Sequence, residues 1–74
     1  MRTRQLRLND TDQIHRKMPE FLGKKINIVL VDRTVMFGEL KKVNHSDIVL
    51  RNMRLENVTY PFKNIVEVYL DVIV

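Results

Sequence analysis

Two histidines, 13 lysines and arginines, and 9 aspartates and glutamates are the charge-bearing side chains of this 74-residue chain. They are not arranged for catalysis. There is no cysteine to serve as nucleophile or thiolate ligand. No serine is set between matching acid and base partners, and no glycine-rich loop could cradle a phosphate. His15 and His45 stand 30 residues apart, without the spacing of a zinc or other metal site. Asp32 and Glu39 flank a turn and could pair only by accident. No enzyme, metal, cofactor or small-molecule substrate is expected, and binding is what remains.

The cations point to the kind of partner. Residues 1–25 carry seven basic and three acidic side chains, and residues 26–74 carry six of each, so the whole net charge of +4 lies in the first third. Arg16, Lys17, Lys24 and Lys25, with His15, form a candidate basic surface around a helix end, and Arg2, Arg4 and Arg7 precede it. Such an end meets a polyanion, or simply keeps the protein soluble.

These side chains need elements to position them. Residues 1–8 alternate loosely and are expected to form a flexible basic arm before a single domain at 9–74. Asn9, Asp10, Thr11 and Asp12 are four N-cap candidates. Ile14, Met18 and Leu22 recur every four residues, a narrow helical stripe that Pro19 interrupts. Either two short helical turns meet near Met18, or one short helix starts at Pro19. Gly23 ends the helix, with Lys24 and Lys25 beside it.

From Ile26 the period becomes two, and five short strands are expected at 26–31, 35–43, 48–53, 58–62 and 65–70. Gly38, mid-strand, marks a bend or a close backbone approach, and Pro61 confines the fourth strand to an edge. A helix followed by a strongly bent five-stranded antiparallel sheet makes a mainly β, SH3-like small barrel. So short a chain buries only about 60% of the surface it would expose unfolded, and it has no disulfide. Unpaired edges at the fourth strand and at Asp71-Val72-Ile73-Val74 therefore predict strand addition between copies. The longest apolar runs, such as Ile28–Val31, are four residues, so neither a membrane span nor a signal peptide is expected. The absence of cysteine suits a reducing, cytoplasmic setting.

The stretch Ile26-Asn27-Ile28-Val29-Leu30-Val31-Asp32, then Gly38-Glu39-Leu40, then Asn44-His45-Ser46-Asp47-Ile48-Val49-Leu50 resembles the first motif of the Sm, Lsm and Hfq family of RNA-binding ring proteins. Pro19, Leu22 and Gly23-Lys24-Lys25 match that family's short helix and its exit. Arg33 stands where the family has a turn glycine, and Phe62-Lys63-Asn64 stands where it has Arg-Gly or Tyr-Lys-His. The resemblance, over residues 18–70, implies a hexameric or heptameric homo-oligomeric ring closed by pairing of strand 4 with strand 5 of the next subunit. It implies binding of single-stranded RNA, in RNA metabolism or as an RNA chaperone. It places the RNA-binding residues at Asn44, His45 and Ser46, where His45 has the ring that could stack on a base, and at Lys63 and Asn64, where Lys63 suits a phosphate. Each has a plainer reading, as a turn former or a solvated loop side chain. Two alternatives follow: a ring that keeps the fold as a protein-interaction module with a degenerate RNA pocket, or a monomeric SH3-like binder of peptides.

Overall fold

Leu6 and Leu8 alternate with Gln5 and Arg7, the period of a strand with one apolar face. In the computed structural model, which describes residues 3–73, that stretch is a strand, β1 (Thr3–Leu8), and not a flexible arm. It runs antiparallel to β6 (Ile65–Ile73) in a continuous register from Thr3 opposite Ile73 to Leu8 opposite Val68. Leu8 is 7% exposed within the core, and Leu6 packs against it. On the other face Arg7 holds Glu67 at 2.6 Å and lies 4.8 Å over the Tyr69 ring. Arg2 of the expected arm and Val74 of the expected tail lie outside the described residues.

Of the four N-cap candidates Asp10 is used. Its carboxylate accepts from the backbone N–H of Asp12 at 2.8 Å and of Gln13 at 3.4 Å, and opens α1 (Thr11–Lys17). A 3₁₀ segment, Met18–Phe21, follows, with Pro19 in its first turn, where the missing N–H costs nothing. The two-turn reading of the helix therefore holds. Ile14, Met18 and Phe21 are buried. Gly23, at φ 82°, exits into β2 (Lys25–Leu30), and its N–H donates to Leu40 O at 2.8 Å.

The turn into β3 (Val35–Val43) holds Arg33 at φ 73°, the left-handed region that glycine would enter freely. The Asp32 carboxylate compensates by accepting from the Thr34 N–H at 3.0 Å. At Gly38 the backbone of β4 (Asp47–Arg51) comes so near that a Cβ would lie 2.7 Å from Arg51 O. This is the close approach expected of a mid-strand glycine, and the β3–β4 register shifts just beyond, between Leu40 and Lys42. β5 (Asn57–Pro61) ends in Pro61 and lies at a sheet edge, as its missing donor requires.

The result is mainly β: one antiparallel sheet in the order β1-β6-β2-β3-β4-β5, with one short helix. It has six strands rather than five, and it does not close into a barrel. The far edge of β6 is taken by β1 from Val68 to Ile73, which leaves β1 and β5 as the two unpaired edges of the sheet. Ile26, Ile28, Leu40, Ile48 and Val68, all fully buried, form one core with Ile14, Met18 and Phe21 of the helical segments. Among the described residues no helix is long and apolar enough to cross a membrane.

Candidate nucleic-acid interface

Polar residues in a β-turn compete for backbone hydrogen bonds, and the loop between β3 and β4 shows the outcome. Asn44 donates its side-chain N–H to Asp47 Oδ1 at 2.6 Å and its backbone N–H to Asp47 O at 2.8 Å. Its amide is thus committed to shaping the loop. His45 and Ser46 are left at the tip. Ser46 O then accepts from the Phe62 N–H at 3.0 Å, which ties this loop to the 3₁₀ turn Phe62–Asn64 that follows β5.

That tie, beside the Asp47–Pro61 end of the β4–β5 pairing, brings together two loops whose joined residues are 16 positions apart in sequence. His45 and Ser46, from the loop, share an open hollow of about 650 Å³ with Lys63. Its remaining wall is α1, through Thr11 and His15, one helical turn apart and on the same face. His15 Nδ1 lies 3.3 Å from Thr11 O, and its ring stacks on Phe62 with centroids 3.9 Å apart and planes inclined by 30°. Phe62 is buried, so the imidazole extends the core aromatic to the surface of the hollow.

Three of the five expected RNA-binding residues therefore meet. Asn44 and Asn64 do not line the hollow, and the Asn64 carbonyl instead accepts from the Val31 N–H at 2.9 Å. The expected basic surface divides as well. Lys24 and Lys25 lie with Asn27 and Phe37 on a different part of the sheet. Lys17 pairs with Glu20 at 3.6 Å on the exposed side of the helix, where Arg16 is also exposed. Tyr60 and Tyr69, the two tyrosines of the chain, are both engaged. Tyr69 lies under Arg7, and Tyr60 is half-buried against the core, where burial pushes its phenol above the usual 10.0.

Sequence reasoning put His15 among the cations and Phe62 only in the stretch Phe62-Lys63-Asn64, and so missed their pairing. The i, i+4 relation of Thr11 and His15 shows that the two share a helix face, but not that Phe62 lies beneath it. Among the described residues no group of three histidines, aspartates or glutamates could hold a metal ion. Comparison with family models, curated proteins and solved structures finds no match for this chain.

The hollow supplies imidazole faces at His15 and His45, one cation at Lys63, and hydroxyl donors and acceptors at Ser46 and Thr11. Asp47 adds a carboxylate, already held by Asn44. This set suits a flat ring with an attached anion better than a compact apolar ligand.

Proposed function

We propose that the chain is an Sm-like single-stranded RNA-binding protein without a reaction of its own, acting as a homo-oligomer in the cytoplasm. The observation that carries this reading is the convergence of His45, Ser46 and Lys63 with the His15–Phe62 stack in one open hollow. An unpaired base stacks on the outer face of His15 or on His45. The Ser46 and Thr11 hydroxyls meet its edge, and Lys63 takes the neighbouring phosphate. One base stacked on an aromatic contributes about 1–3 kcal/mol, with imidazole at the low end, so useful affinity comes from several copies sharing one strand.

The test is fluorescence anisotropy of labelled oligo-U and oligo-A with the full chain at low salt, alongside light scattering for mass. The expected result is salt-sensitive binding by an oligomer, weakened several-fold by His45→Ala and by Lys63→Ala. A chain that binds neither oligonucleotide at low salt, or whose binding ignores both substitutions, overturns the proposal.

A further inference from the structure

The turn between β4 and β5 is built to hold apolar side chains in water. Asn52 organises it: its side-chain oxygen accepts from the N–H of Arg54 at 2.9 Å and of Glu56 at 3.0 Å. Its own N–H donates to Glu56 O at 2.9 Å, and its carbonyl accepts from Leu55 at 3.0 Å. The frame fixes Leu55 at φ 63°, a left-handed conformation that leucine rarely adopts. Met53 is 87% exposed and Leu55 70% exposed. Asn or Gly in place of Leu55 would need neither the strain nor the exposed apolar surface.

Met53 and Leu55 form one wall of a groove of about 360 Å³ whose opposite wall is Phe37, 44% exposed on β3. Lys25 and Arg51 stand in its lining, in cross-strand register on either side of Glu39. Glu39 is neutralised by Lys41 at 3.3 Å, and the rim carboxylate Glu56 lies against the Asn52 amide. Neither Lys25 nor Arg51 belongs to an ion pair among the described residues. The groove is therefore apolar, rigid and cationic, and it shares no lining residue with the hollow at Lys63.

We propose that this groove docks a short acidic, amphipathic segment of a partner protein. An apolar side chain of that segment enters between Phe37 and the Met53–Leu55 wall, and its carboxylates meet Lys25 and the planar guanidinium of Arg51. A peptide fits better than a nucleic acid because two of the three apolar groups are aliphatic, and base stacking needs π faces. The fixed turn also leaves little to order on binding, which favours a small partner. The inference is independent of the RNA reading.

Selection of phage-displayed peptides on the immobilised full chain tests it, followed by anisotropy of the selected peptides as labelled synthetic probes. Selected peptides are expected to combine acidic with large apolar residues. Met53→Asp, at a position too exposed to disturb folding, is expected to weaken their binding at least about tenfold, and Arg51→Glu likewise. Failure to select peptides, selection of basic or uncharged ones, or equal affinity for Met53→Asp overturns the proposal. Loss of oligo-U binding in Met53→Asp overturns it in favour of nucleic acid. A fall in mass by light scattering in that variant overturns it in favour of a second copy of the chain.

Discussion

Replacing Gly38 by alanine tests the bend of β3 at its narrowest point. The added Cβ would lie 2.7 Å from Arg51 O, 3.2 Å from Arg51 C and 3.3 Å from Leu50 Cβ. The nearest atoms are backbone, so no side chain can rotate away. Ordinary contact begins near 3.4 Å, so β3 and β4 must separate by about 0.7 Å. Leu40 and Leu50, both buried, hold that crossing closed. Overpacking of this kind costs about 1–3 kcal/mol. Alanine returns roughly 0.4–1 kcal/mol by narrowing the unfolded ensemble, so the net loss should be about 1–2 kcal/mol. In a domain of this size 1 kcal/mol moves the thermal midpoint by about 4–8 °C. Urea denaturation followed by circular dichroism measures the loss, with an unchanged slope showing that the folded state alone is affected.

Gly23 provides the contrast. A Cβ there meets nothing within 4 Å, and the obstacle to substitution is φ 82° alone. Asparagine tolerates that backbone, so Gly23→Asn should recover most of what Gly23→Ala loses. Gly38→Asn should be worse than Gly38→Ala, because it adds bulk where space is the constraint. Gly38→Ala within 0.5 kcal/mol of the parent, roughly the scatter of neutral surface changes, would refute the steric argument.

Three further outcomes are expected. Leu8→Ala should cost about 2–4 kcal/mol in urea denaturation and speed amide exchange at Val68–Leu70, whereas a loose N-terminal arm would show neither effect. The hydrogen bond from the Thr34 N–H holds the Asp32 carboxyl below its ordinary 3.8, so this group stabilises the fold above that value. That contribution is lost as pH falls through the depressed value, and Asp32→Asn should flatten stability against pH in acid titrations. Lys63→Ala should lower the slope of log affinity against log salt by about 0.7 in oligonucleotide anisotropy, one phosphate contact on a single strand.

Elements whose determinants are local were legible in the sequence. Period-two alternation placed β3 at 35–43 without error, and Pro61 and Gly38 each announced the constraint that the structure shows. What was not legible depends on contacts far along the chain. Leu6 and Leu8 make only two turns of alternation, and it is the edge of β6, some 60 residues away, that makes them a strand. The site divided in the same way. His45 and Lys63 stand out by residue type, but Asn44 is committed by its own loop partner. His15 joins the site only because Phe62 lies under it.

The position of β1 bears on how copies of this protein would join. Ring closure by pairing the edge of β5 with β6 of a neighbour needs the outer edge of β6, and β1 covers that edge from Val68 to Ile73. Two routes satisfy both facts. In one, β1 stays, and the neighbour's β5 adds to β1, extending the sheet head to tail. In the other, β1 leaves, giving up the burial of Leu8 and the Arg7–Glu67 pair, and the neighbour's β5 replaces it. Burial of one leucine is worth about 1.5–3 kcal/mol and an exposed ion pair less than about 1 kcal/mol. β5 offers Val58 and Tyr60, both already half-buried within the chain, against that loss. Its last residue, Pro61, has no N–H to donate. The exchange returns less than it gives up, so if copies join by strand addition, β1 is the favoured edge, and the basic strand that looked like a polyanion-seeking arm would be the joint.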